Sequence, residues 1–324
     1  MNVYHSEVFL RWCSILKKTY FVVTFFILIL GAMTFLTPDL SRKDLESKYA
    51  LPPSQFKLIK GLRVHYRDTG NITAPVLVML HGFGSSLQTW DEWSNVLDIN
   101  YRVIRLDLAG FGLTGASADE NYSDEADVQR IEDFLNALEL KDVTLIGHSM
   151  GGRIAWNYAS AYPQRVRSLV LLAPDGFPAP GQNLGDRPYD AGPIAGLIQF
   201  VLPKFLVKKS LEPAFFNPRL ITDELLDRYY DLLRAPQVRQ AILARMRQTI
   251  NSDPVNRLQK ITAPTLLLWG EGDQMIPSRN SEDYLRVMRN AKVIKFPKAS
   301  HLLHEETPKL ALPSVLDFIE SHKH

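Results

Sequence analysis

Along the chain, short runs of β-branched and aliphatic residues alternate with longer stretches whose apolar positions recur at helical spacing. Residues 56–59 and 62–66 flank Lys60-Gly61 and predict a hairpin. Val76–Leu80, residues 101–108 and 143–146, Val166–Leu172, and residues 265–269 and 293–296 read as further strands. Between them, residues 87–97, 124–138, Met150–Ala161, 278–288 and 309–321 carry amphipathic helical patterns. Continuously apolar strands alternating with amphipathic helices predict an α/β fold, with a mostly parallel sheet covered by helices on both faces.

Two stretches break this rhythm. Residues 175–260 contain turns rich in Pro and Gly and helical patterns such as 222–233 and 238–250, but no convincing strand. They predict a helical insertion acting as a lid over the C-terminal edge of the sheet, where open α/β folds bind ligands. The other exception is residues 20–36, YFVVTFFILILGAMTFL, which carry no charge. About 20 such residues span a bilayer core, whereas a buried core helix keeps a polar face and a signal peptide carries a small-residue cleavage site. Ala32-x-Thr34 is a poor cleavage site, so the pattern predicts an uncleaved membrane anchor. Arg11, Lys17 and Lys18 precede the run and Arg42, Lys43 and Lys48 follow it, an even count; the Lys17–Lys18 pair abutting the run points to the N-terminus inside and the main domain on the non-cytoplasmic side. The expected organisation is a tail over 1–18, an anchor over 19–38 and a linker over 39–54. The sheet domain then covers 55–174 and 261–324, with the helical lid over 175–260.

Composition narrows the function classes. Hydrophobic residues make up 46% and charged residues 22%, too apolar for a disordered chain. Thirty-seven Lys and Arg against 35 Asp and Glu leave a net charge of +2, so no bulk charge points to a nucleic-acid partner. The single cysteine, Cys13, excludes an internal disulfide and a thiolate zinc cluster. No metal-ligand cluster appears, and no cofactor is implied.

The candidate chemistry lies in Gly147-His148-Ser149-Met150-Gly151-Gly152, between a predicted strand and a predicted helix. That is the setting of a nucleophile elbow, with Ser149 on a sharp turn and small residues, Gly147 and Gly151, beside it. A serine hydroxyl needs a base oriented by an acid. In this architecture the acid and then the histidine follow the serine, each at a strand end. His301 follows the last strand and fits as the base. His65 and His81 precede the serine, and His304 falls within the following turn. Asp273 closes a strand and fits as the acid, with Asp175 as the alternative and Glu271 as a weaker third. Two backbone N–H donors should hold the oxyanion, one from Met150 and one from the loop His81-Gly82-Phe83-Gly84, at Phe83.

With HGFGSS at 81–86, DLAGFGLTG at 107–115, GHSMGG at 147–152, WGEGD at 269–273 and SHLLHEETP at 300–308, the chain resembles the α/β-hydrolase superfamily. Within it, the chain is similar to the lid-bearing esterases and monoacylglycerol lipases, whose sequences run close to epoxide hydrolases and haloalkane dehalogenases. The resemblance implies catalytic roles for Ser149, Asp273 and His301, and oxyanion roles for Phe83 and Met150. Ala109 stands where the family usually has proline, and Ser300 where it usually has glycine. Epoxide hydrolases and dehalogenases of this type need a carboxylate at the elbow, so Ser149 points instead to acyl transfer. The expected activity is hydrolysis of carboxylic esters, acylglycerol-like lipids in particular, with carbon–carbon bond or small-ester hydrolysis as the alternative. Residues 196–211, GLIQFVLPKFLVKKSL, suggest a lid that either lines an acyl pocket, with Lys204, Lys208 and Lys209 at lipid headgroups, or packs onto the sheet.

Overall fold

A computed structural model describes residue 20, residues 36–178, 184, 185 and 188, and residues 192–323. The apolar runs form β1 (Ser54–Ile59), β2 (Leu62–Thr69), β3 (Val76–Leu80), β4 (Arg102–Leu106), β5 (Val143–His148), β6 (Val166–Leu172), β7 (Thr265–Gly270) and β8 (Ala291–Phe296). They make one sheet of order β1-β2-β4-β3-β5-β6-β7-β8. β1 and β2 pair antiparallel, as do β2 and β4, and every later pairing is parallel. The sequence pattern therefore translates into an α/β-hydrolase fold.

Strand periodicity sends alternate side chains to two separate cores. Val78 and Leu80 join Phe134, Ile154 and Trp156 on one face, from α3 (Asp124–Ala137) and α4 (Met150–Ala161). Leu77 and Met79 join Trp93, Val315 and Phe318 on the other, from α2 (Asp91–Leu97) and α11 (Pro308–Glu320). Because both faces are covered, the central strands are apolar throughout rather than alternating. β3 lies between β4 and β5, so the chain reverses its direction of travel across the sheet there. Such a switch point opens a crevice at the C-terminal ends of the strands.

Between β6 and β7 the described residues form helices α5 (Lys204–Leu211), α6 (Asp223–Leu233), α7 (Val238–Met246) and α8 (Val255–Leu258), together with short 3₁₀ turns. Val207 and Leu211 of α5 pack with Phe215, Leu226 and Tyr229 in a small core of their own. Phe205 and Leu206, on the opposite face of α5, are exposed. After β7 come α9 (Asn280–Val287), β8 and the short α10 (Leu303–Glu306).

Two expectations for the N-terminal part need revision. The segment read as a linker over 39–54 contains α1 (Arg42–Tyr49), capped by Ser41, whose hydroxyl accepts the Asp44 N–H. Leu45 anchors it in the main core. The single-pass anchor over residues 20–36 is not supported: residues 21–35 lie outside the described residues. Among the described residues no helix is long and apolar enough to cross a membrane. The longest of them, α3, has 14 residues, about 21 Å against the roughly 30 Å of a hydrocarbon core. The membrane localisation and the non-cytoplasmic placement of the catalytic domain fall with it.

Candidate active site

The candidate groups are loop residues at the C-terminal ends of β3, β5, β7 and β8. Ser149 joins β5 directly to α4 with φ +52° and ψ −117°, a conformation that non-glycine residues rarely adopt. The turn is held on both sides: the Ser149 N–H donates to Leu172 O at 2.9 Å, and its carbonyl accepts from Asp175 N at 3.1 Å. Its flanking glycines are required by space. A Cβ on Gly147 would sit 2.5 Å from Gly151 O, and one on Gly151 would sit 2.3 Å from Leu80 O. Both contacts are with backbone, which cannot move aside as a side chain can.

His301 and Asp273 come together although 28 residues separate them. His301 Nδ1 lies 2.7 Å from Asp273 Oδ2, and both side chains are almost fully buried. The other carboxylate oxygen, Oδ1, accepts the Met275 and Ile276 N–H groups, each at 2.8 Å. The carboxylate is therefore fixed by three donors, and His301 carries its proton on Nδ1, leaving Nε2 as the basic nitrogen. Asp175 is engaged elsewhere. It pairs with Arg153 at 3.4 Å, while Arg153 also holds Asp124 through two bonds of 2.8 Å. Glu271 is exposed.

The loop after β3 turns at residues 82–85, where Ser85 N–H donates to Gly82 O and Gly84 adopts φ +68°. Positive φ at the third residue is the type II geometry, which glycine accepts without strain. Phe83 sits at the second position of this turn, and its N–H bonds no described protein acceptor. Met150 opens α4, where a helix leaves its first N–H groups without intrahelical partners. Gly82 approaches the elbow closely: a Cβ there would lie 3.4 Å from Ser149 Cβ and 2.6 Å from His148 Nδ1. His81 is buried and bridges two loops, with Nδ1 bonded to Gly82 O and Nε2 accepting the Leu108 N–H at 3.0 Å.

Several supporting groups were not singled out from the sequence. Asp107 accepts from Leu87 N at 2.7 Å, Leu113 N at 2.8 Å and His65 Nδ1 at 2.7 Å, tying the loops after β3 and β4 to β2. Its place at the head of DLAGFGLTG was the available signal. His148 packs its ring 4.6 Å from that of His301 and donates from Nε2 to His301 O at 3.0 Å. Its ring is also 4.6 Å from that of His304, which stacks on Trp90. Thr89 donates to Glu305, so His304 Nε2 must donate to Thr89 Oγ1, 2.8 Å away. Ser300, the departure from the family's glycine, places Oγ 3.1 Å from Gly272 O and 3.2 Å from Pro213 O, between the acid's loop and the helical insertion.

Burial sets the protonation of this histidine cluster. It lowers His81 below the ordinary imidazole value and His148 well below it, and it brings His304 down to about 3. All three are neutral in the fold, whereas in the unfolded chain each binds a proton near pH 6.5. The unfolded state therefore holds more protons below that pH, and stability falls as the pH drops from about 6.5. The slope is at most about 1.4 kcal/mol per pH unit for each group. Melting temperatures measured between pH 7 and pH 5 should fall steadily; a flat profile would contradict three neutral imidazoles.

Known proteins share the fold of this chain. The model of the α/β hydrolase fold family matches residues 75–308. The uncharacterized hydrolase YugF of Bacillus subtilis is 28% identical over 275 residues, covering 84% of this chain and 99% of that protein. The 2-hydroxy-6-oxo-6-phenylhexa-2,4-dienoate hydrolase of Burkholderia cepacia is 28% identical over 281 residues, covering 81% and 93%. Among solved structures, a membrane phospholipase A described as a bacterial virulence factor superposes with a TM-score of 0.70 at 22% identity, over 100% of both chains. With its fold, its elbow and this family match, the chain belongs to the α/β-hydrolase family and is a hydrolase of that fold.

Proposed function

We propose that this hydrolase cleaves carboxylic esters, acylglycerol-like lipids in particular, through an acyl-enzyme on Ser149. The observation that carries the reading is a buried Asp273–His301 pair, with the histidine's Nδ1 committed to the acid, beside an elbow whose nucleophile is a serine. Ser149 Oγ attacks the acyl carbon while His301 Nε2 takes its proton. The N–H groups of Phe83 and Met150 hold the oxyanion, and Asp273 stays ionised against the imidazolium. His301 then protonates the leaving alcohol, and water, deprotonated by the same nitrogen, releases the acid.

The dienoate hydrolase among the relatives makes carbon–carbon cleavage the second reading. A dienoate substrate carries a carboxylate that needs a cation. The buried Arg153, Arg239 and Arg245 are already committed to Asp124, Asp39 and Asp127, and the partly buried Arg228 to Glu305. An anionic substrate would have to compete with these pairs, and a neutral ester would not. The insertion offers apolar surface, with Leu197, Phe200, Phe205 and Leu206 about half to two-thirds exposed. It does not offer three free lysines, since Lys204 pairs with Asp227 and Lys209 with Glu212. We therefore place the preference in acyl chain length rather than in an anionic headgroup.

Each methylene buried in an acyl pocket contributes up to about 0.8 kcal/mol, roughly fourfold in kcat/KM. The specificity constant for p-nitrophenyl esters should rise from acetate through butyrate to octanoate and then level off. A steady fall from acetate onward would overturn the acyl-pocket reading and favour a small-ester or carbon–carbon hydrolase.

A further inference from the structure

The residues ahead of α1 are attached to the helical insertion rather than to the sheet. Thr37 N–H donates to Phe200 O at 2.7 Å, and Thr37 Oγ1 accepts the Leu202 N–H at 3.0 Å. Leu40 N–H donates to Arg234 O at 2.8 Å, while Arg234 Nε donates back to Pro38 O at 3.1 Å. Asp39 uses both oxygens. Oδ1 accepts from Arg239 Nη2 at 2.6 Å, and Oδ2 accepts from Gln237 N at 3.2 Å. Gln237, at φ +64°, immediately precedes α7 and has no side-chain cap of its own. The Asp39 carboxylate thus stands at the N-terminus of α7, where the helix dipole favours negative charge. Arg239 is buried, and its Nη1 donates to Ile198 O at 3.3 Å. One guanidinium therefore links Asp39, α7 and the backbone beside the exposed Leu197 and Phe200.

The same segment is fixed to the sheet domain at its other end. Leu45 is buried in the main core, Arg63 pairs with Glu46 at 2.6 Å, and Arg67 and Gln88 both donate to Tyr49 O. Lys48 and Tyr49 add bonds of 2.7 and 2.8 Å to Asp231 of α6. Residues 37–49 therefore bridge the two halves of the molecule. Removing the Asp39 charge would leave the buried Arg239 guanidinium without its carboxylate, a costly state that moving the insertion would relieve.

We propose that Asp39 is a positioning residue which, through Arg239 and the start of α7, sets where the helical insertion stands over the site and so sets acyl-length selectivity. The selectivity half rests on the ester reading above; the attachment itself does not. The test uses the full chain with Asp39→Asn and Asp39→Glu, reading hydrogen exchange by mass spectrometry and kcat/KM for p-nitrophenyl acetate and octanoate. Asp39→Asn should speed amide exchange in residues 197–206 and 237–246 and leave β3 and β5 protected. It should lower the octanoate constant about tenfold, mainly through KM, and change the acetate constant less than twofold. Asp39→Glu, which keeps the charge, should restore most of both. Unchanged exchange in the insertion would overturn the attachment. Faster exchange with acetate and octanoate falling together would overturn the selectivity role. If the wild-type chain cleaves neither ester, the ester reading fails and takes the selectivity role with it, while the exchange data still decide whether Asp39 holds the insertion.

Discussion

Ser149→Ala should lower kcat for any ester substrate by roughly 10⁴-fold or more, with the fold intact. Among the described residues, the hydroxyl it removes forms no hydrogen bond that holds the elbow. The turn is held by the backbone bonds of Ser149 to Leu172 and Asp175 and by the close packing of Gly147 and Gly151. Alanine meets the same positive φ as serine, so no new strain arises, and the change in stability should stay within about 0.5 kcal/mol. Labelling by a fluorophosphonate probe should disappear in parallel. A purified Ser149→Ala protein that keeps its esterase activity would remove Ser149 from the mechanism.

Asp273→Asn should cost nearly as much, about 10⁴-fold in kcat, and for a reason visible in its hydrogen bonds. The Met275 and Ile276 N–H groups both donate to Oδ1, so the carbonyl oxygen of an asparagine would be held there. Its NH₂ would then face His301 Nδ1, 2.7 Å away in the parent structure, and would donate to it. That fixes the wrong tautomer, with the proton on Nε2 and no lone pair left to accept one from Ser149. Asp175→Asn should behave differently. Arg153 keeps both bonds to Asp124 and a 2.6 Å bond to Ile250 O, so activity should stay within about tenfold. Steady-state kinetics on the two purified variants decide between them; a more damaging Asp175→Asn would transfer the role of acid to Asp175.

How much of this could be read beforehand depends on the range of the interaction concerned. The sheet was legible because strands buried on both faces must be apolar at every position, as in Leu77, Val78, Met79 and Leu80. The elbow was legible because its glycines are demanded by contacts within a few residues. Helix α1 was not, since RKDLESKY buries only Leu45 and so carries no periodic apolar stripe. The roles of His148 and His304 were equally hidden, because a histidine's neutrality depends on burial among residues distant in the chain.

The sequence by itself determined the parallel sheet, the sharp turn at Ser149 between a strand and a helix, and the break in the alternation after β6. These follow from local burial patterns and from sterics at single turns. Only the tertiary structure separates Asp273 from Asp175. Both follow strands, and what separates them is that one meets His301 and the other meets Arg153. The tertiary structure also decided that residues 37–49 are bound to the insertion, through a carboxylate and a guanidinium 200 positions apart. Such a pair leaves no trace in either local sequence, because the desolvation that makes it matter arises only when the two surfaces close on each other.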